Sequence, residues 1–180
     1  AKDKIKKEGF SIVMEGEFDV ISAYKEGVGN AVGLKGTALT ESQALLLSRF
    51  APKVSLCLDQ DSAGVEALRR SIPVLEKRGL LISVIALLEK DPDEAIKKSP
   101  SAFKKAIRND IEVYDFLISK LISENDITLA SGKKAVTDEI LPLISVIQNE
   151  IVKEHYLKKL SQEINTSYES LTRQLDKKNE

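Results

Sequence analysis

Apolar residues along this chain keep two rhythms. Up to about residue 88 they come as short unbroken runs separated by helix-like stretches, and after about 95 they recur at three- and four-residue spacing. The runs FSIVM (10–14), Asn30 to Leu34, 53–58 and LLISVIALL (80–88) read as buried strands. The fourth is apolar throughout, as a parallel strand covered on both faces should be. Helices are predicted between them: about Phe18 to Glu26 closed by Gly27, Glu41 to Phe50, and about 63–78 with a kink or break at Pro73. Thr40 with Gln43 three residues on makes a capping-box signature for the second of these. Strand and helix in alternation predict an α/β fold with a parallel sheet. Right-handed crossovers then place every strand's C-terminal end on one edge, where open α/β sheets bind their ligands.

The later rhythm is helical. Ala95–Lys98 and Ser101–Arg108 are short pieces divided by Pro100. Ile111–Ser123 carries apolar residues at 113, 114, 117, 118, 121 and 122. Further helices are expected at about 131–148, 149–163 and 167–178, the last with Thr166 and Glu169 as its capping box. The organisation expected is an upstream remnant at 1–9, an α/β domain at 10–109 and a small all-helical domain at 110–180.

One stretch, LCLDQDSAGVEALRR (56–70), draws attention to chemistry. A buried strand runs into Asp59-Gln60-Asp61, and Ser62-Ala63-Gly64 opens a helix. Carboxylates spaced in this way on a turn are suited to a hard divalent cation. Glu15 closes the first strand with Asp19 four residues on, and Asp91 and Asp93 follow the fourth strand in KDPDE. In a parallel sheet all six converge on one edge, and like charges so gathered favour a bound cation. Each acid has a plainer explanation. Asp91-Pro92-Asp93-Glu94 is a good helix start, Asp59 and Asp61 can cap the next helix, and Glu15 can face solvent. Those explanations treat the acids one by one and leave unexplained why strands one, three and four end in acids while strand two leads to GTALT (36–40). Gly36 permits close backbone approach there, and Lys35, Arg69 and Arg70 are candidate phosphate contacts.

Composition narrows the field. The chain has 180 residues, 42% hydrophobic and 31% charged, with formal net charge −1, so it is no free-standing basic nucleic-acid binder. A single cysteine excludes an internal disulfide, and no CxxC pair suggests zinc. No signal peptide or run of about 18 apolar residues is visible, which reads as a cytoplasmic chain without a membrane role. His155 lies far in sequence from the acids, and Tyr114, Tyr156 and Tyr168 sit at helical core spacings.

EGEFDV (15–20), GTALT (36–40) and DQDSAG (59–64) together are similar to the TOPRIM domain, which primases, topoisomerases and some nucleases share. KDPDE (90–94), YDFLI (114–118), EILPLI (139–144) and EHYLKKLS (154–161) narrow the resemblance to bacterial DNA primase. It implies a Rossmann-like TOPRIM subdomain followed by the helical subdomain of an RNA polymerase core. By that resemblance Glu15 is catalytic, while Asp59, Asp61, Asp91, Asp93 and Asp19 bind metal, magnesium with manganese as substitute. Gly36, Thr37 and Lys35 are further nucleotide contacts. Gln60 and Lys35 depart from the residues usual in the family. The implied partners are a single-stranded DNA template and nucleoside triphosphates, with a replicative helicase met only through a part not present here. The expected function is metal-dependent RNA-primer synthesis, with the isolated chain binding metal but making few or no primers. A TOPRIM nuclease and a non-catalytic scaffold docking a replication protein are the alternatives.

Overall fold

The computed structural model describes residues 1–34 and 38–179. The chain divides into two compact units, Ala1–Glu112 and Val113–Glu180.

The first unit is α/β. Its elements are α1 (Lys2–Glu8), β1 (Phe10–Met14), α2 (Glu17–Lys25), β2 (Ala31–Gly33), α3 (Glu41–Ser48), β3 (Lys53–Cys57), α4 (Ser62–Glu76), β4 (Leu81–Val84), α5 (Pro92–Lys98), α6 (Pro100–Arg108) and β5 (Ile111–Glu112). The sheet order is β2-β1-β3-β4-β5. The first four strands are mutually parallel, and β5 runs antiparallel to β4. β1 and β3 are therefore interior strands, which explains why both faces of each carry small or apolar buried residues. On one face Ile12, Met14, Cys57 and Ile85 pack with Ala23 of α2, Ala95 and Ile96 of α5, and Phe103 of α6. By alternation Val13, Val54 and Leu56 point the other way, and all three are fully buried. α1 belongs to this unit and buries Ile5.

Several expectations change. β4 ends at Val84, well short of the apolar run that suggested it, because the chain leaves the ladder after Ile85 donates to the Leu56 carbonyl at 2.9 Å. Glu112 opposite Ser83 and Ile111 opposite Val84 form β5 where only a helix was expected. Two residues are too few for a period to show. Asp110 fixes that turn beneath β3 by accepting from the buried Ser55 hydroxyl at 2.6 Å and from Lys53 Nζ at 2.9 Å. α4 runs through Pro73 as one helix, with Lys77 N–H donating to the Pro73 carbonyl at 3.1 Å. Ile72 and Leu75, both fully buried, hold the last turns in place although Pro73 removes a donor.

The capping box at α3 forms as read. Gln43 N–H donates to Thr40 Oγ1 at 3.3 Å, and Thr40 N–H donates to Gln43 Oε1 at 2.9 Å. Thr40→Ala is expected to lower stability by about 1 kcal/mol, read as a drop in urea midpoint at constant slope.

The second unit is all-helical among the described residues: α7 (Val113–Glu124), α8 (Ala130–Ser145), α9 (Glu150–Glu163) and α10 (Tyr168–Asn179). Its core is Leu117, Ile118, Leu121, Val136, Ile140, Ile144 and Leu160. Tyr114 and Tyr156 pack with ring centroids 4.9 Å apart, and the Tyr114 hydroxyl donates to the Leu143 carbonyl at 3.3 Å. His155 sits edge-on to Tyr156 at 5.0 Å, a packing role. At α10 the cap falls on Ser167, whose Oγ accepts from Ser170 N–H at 3.3 Å, and not on Thr166 as the sequence suggested. Among the described residues no helix is long and apolar enough to cross a membrane.

Candidate active site at the carboxyl edge of the sheet

β1 is followed in sequence by its neighbour β2 on one side and flanked by β3 on the other, so the chain reverses its direction of winding between β1 and β3. A crevice opens outside the carboxyl ends of strands at such a point. Glu15 follows β1 directly and Asp59 lies two residues beyond β3, so both acids stand there.

Three turns build the site. In the first, Gly16 caps α2, and its N–H donates to Asp19 Oδ2 at 2.9 Å. In the second, Asp61 caps α4 by accepting from Gly64 N–H at 2.9 Å. Gly64 is demanded by packing, since a Cβ there would lie 2.0 Å from the Asp59 carbonyl oxygen. In the third, Asp91 caps α5 by accepting from Glu94 N–H at 2.8 Å, with Pro92 at the first helical position. The capping explanation of Asp61 and Asp91 is thus correct as far as it goes, and it occupies one oxygen of each.

The turns are cross-linked. Gln60 N–H donates to the Lys90 carbonyl at 2.8 Å, joining the β3 and β4 turns. Asp93 N–H donates to Asp19 Oδ1 at 3.1 Å, joining the β1 and β4 turns. Ser22 and Lys97 each donate to the Asp93 carboxylate at 2.5 Å. Neither Ser22 nor Lys97 stood out in the sequence, where a serine in mid-helix and a lysine beside acids carry no signal. Of the candidate phosphate contacts, Arg70 pairs with Glu66 on its own helix at 3.0 Å. Lys35, Gly36 and Thr37 lie outside the described residues.

The electrostatics show that the acids share one field. Burial raises the Glu15 pKa, and Asp59, Asp61 and Asp19 raise it further against the pull of the Asp59 amide. Burial also raises Asp59, followed by repulsion from Asp19, Asp91 and Asp61 with Lys90 opposing. Asp19 is raised by burial and by Asp91 and Asp93, and lowered by the two amides it accepts from. Asp93 goes the other way, held down by Lys97 and Ser22. Cys57, wholly buried beneath, is pushed far up by burial and then by Asp19 and Asp59.

These acids differ in what they can offer a cation. Glu15 Oε1 is buried with no hydrogen-bond partner among the described residues. Among the described residues no hydrogen bond is found to the second oxygens of Asp61 and Asp91 or to the Asp59 side chain, whereas Asp19 and Asp93 have both oxygens engaged. As the side chains stand, no three His, Cys, Asp or Glu among the described residues are grouped to hold one ion. An orphaned carboxylate oxygen beside mutually repelling acids fits a divalent cation that draws the open oxygens inward.

The raised acids have a stability consequence. Their charged forms are disfavoured by folding, so the folded chain takes up protons before the unfolded chain does as pH falls. The metal-free protein should therefore gain stability as pH drops from neutral toward the upper edge of the carboxylate range. Asp59→Asn should likewise raise the metal-free melting temperature, and should abolish any rise on adding Mn²⁺. Thermal melts across pH with and without Mn²⁺ read both.

A family model described as Toprim-like matches residues 12–96, and one described as the DnaB-helicase binding domain of primase matches 114–167. The chain is 33% identical over 174 residues to the DNA primase of Halalkalibacterium halodurans, covering 95% of this chain and 29% of that protein. The crystal structure of the zinc-binding and RNA polymerase domains of Aquifex aeolicus primase superposes with a TM-score of 0.77 at 32% identity, covering 95% of this chain and 41% of that one. A primase catalytic domain solved bound to single-stranded DNA superposes at 0.73 with 25% identity, covering 90% of this chain and 53% of that one. The chain thus spans about three-tenths of the length of its curated relative. The helicase-binding match falls inside this chain, whereas the sequence reading placed the helicase contact outside it.

Proposed function

The chain belongs to the DNA primase family, and we propose that its α/β unit carries the centre at which an RNA primer is made on a single-stranded DNA template. The observation that carries this reading is the meeting of acid-bearing turns from β1, β3 and β4 at the winding reversal of the sheet, where burial and then mutual repulsion raise Glu15 and Asp59. Nucleotidyl transfer needs a primer 3′-hydroxyl to attack the α-phosphorus of a nucleoside triphosphate, forming one P–O bond as the bond to pyrophosphate breaks. Charge builds on the phosphate oxygens as it does so. A divalent ion bound there, Mg²⁺ with Mn²⁺ as substitute, would supply charge neutralisation at the phosphate and acidify the attacking hydroxyl. Asp59 and the second oxygens of Asp61 and Asp91 would hold it. Glu15, whose raised pKa and oxygen unpartnered among the described residues suit a proton acceptor, takes the hydroxyl proton. Lys35, Gly36 and Thr37 remain the proposed phosphate contacts.

Full-length protein containing this chain should extend primers with labelled ribonucleotides on single-stranded DNA when Mg²⁺ is present. Metal-dependent strand cleavage without incorporation would point instead to a nuclease. The match over 114–167 supports a second role, contact with the replicative helicase through the helical unit. Retention of helicase by residues 113–180 linked to the rest of the chain, and its loss on deleting them, tests that role.

A further inference from the structure

We propose that Asp19 is a positioning residue, which spaces the Glu15 turn from the Asp91 turn and does not itself ligate the ion. This rests on the metal-dependent reading above. Asp19 is 7% exposed, and its two oxygens accept backbone N–H groups from two different acid-bearing turns: Gly16 at 2.9 Å and Asp93 at 3.1 Å. Gly16 is the N-cap of α2, and Asp93 is the second residue of α5. Each N–H is one of the donors that a helix start leaves without an intrahelical partner. A single carboxylate thus closes the first turns of two helices, reaching an amide 74 residues from itself in sequence and lying where both helix dipoles favour negative charge.

Two further features keep Asp19 in place. A Cβ on Gly16 would lie 2.8 Å from Asp19 Oδ2, so the carboxylate is seated directly against that backbone. One turn along the same helix, Ser22 donates to the Asp93 side chain, so α2 holds residue 93 by both its amide and its carboxylate. Were Asp19 to swing toward a cation, both amides would lose their acceptor, and an unsatisfied amide is costly where water is excluded. Glu15, Asp59, Asp61 and Asp91 can offer oxygens without that loss.

The test follows amide protons of the ¹⁵N-labelled chain by NMR. As Mg²⁺ is titrated to saturation, the Gly16 and Asp93 amide protons should keep the downfield positions of carboxylate-bonded N–H groups while Asp59 and Asp91 resonances move. Upfield movement of both amides on saturation would show Asp19 turning to the ion and would overturn the proposal. Asp19→Asn, with one carbonyl oxygen to offer, should move at least one of the two amides upfield without metal. It should also weaken Mn²⁺ binding about tenfold, the low end for loss of a group supporting a ligand, with full occupancy restored at higher Mn²⁺. Unmoved amides in the variant, or an affinity loss that no Mn²⁺ concentration overcomes, would count against positioning. If Mg²⁺ shifts nothing in the wild type, the metal reading fails, and the metal-free comparison of wild type with Asp19→Asn still decides whether Asp19 joins the two turns.

Discussion

Full-length protein carrying Asp59→Asn is expected to synthesise primers about 10³-fold more slowly than wild type, a barrier increase of about 4 kcal/mol. Asp59 follows an interior strand at the winding reversal, and Asp19, Asp91 and Asp61 all act on its charge. Its carboxylate thus feels acids from both the β1 and the β4 turns. Replacing it with an amide removes a negative ligand while preserving shape, so a large fall in rate without a fall in melting temperature isolates the electrostatic role. Glu15→Gln should show a loss of similar size, together with a rate that no longer rises with pH through the raised Glu15 pKa. Steady-state incorporation across pH and Mg²⁺ concentration measures both. Rates within threefold of wild type in Asp59→Asn would remove the catalytic reading and favour a scaffold.

Gly64→Ala should do comparable damage by a different route. The added Cβ would sit 2.0 Å from the Asp59 carbonyl oxygen, and that contact is with backbone, which cannot rotate aside. Either the β3–α4 turn shifts and carries Asp59 and Asp61 with it, or the start of α4 comes apart. The expected cost is about 3 kcal/mol, at the upper end for overpacking a tight site. Gly132→Ala is the matched comparison, with a Cβ 1.9 Å from the Asp126 carbonyl oxygen in the helical unit. Both variants should lower the denaturation midpoint, but only Gly64→Ala should also weaken Mn²⁺ binding in the fraction that remains folded. Equal metal affinity in the two would show that the turn at Gly64 does not shape the acid site.

Much of the α/β unit was legible because its signals are local. FSIVM and 54–58 carry small or apolar residues on both faces since β1 and β3 have sheet on both sides and helices on both faces. Thr40 and Gln43 meet within one turn, so their box could be read directly. Where the outcome depended on something distant, the reading failed. LLISVIALL looked like one long strand, yet β4 covers only Leu81–Val84, since the residues after Ile85 lead into the loop before Asp91. Pro73 looked like a break, but buried Ile72 and Leu75 carry α4 past it. β5 needed a partner strand to exist at all.

The same division runs through the site. By itself the sequence determined which turns carry acids and that parallel strands would bring them to one edge, since strand ends and crossover handedness follow from short-range periodicity and chain chirality. The tertiary structure alone decided the order β2-β1-β3-β4-β5, which puts Glu15 and Asp59 at the winding reversal. It alone distinguished the acids from one another. Asp19 and Asp93 are engaged by Gly16, Ser22 and Lys97, while Glu15 keeps a buried oxygen without a partner among the described residues. What a carboxylate does is set by the donors and charges around it, and here several of them come from more than 70 residues away.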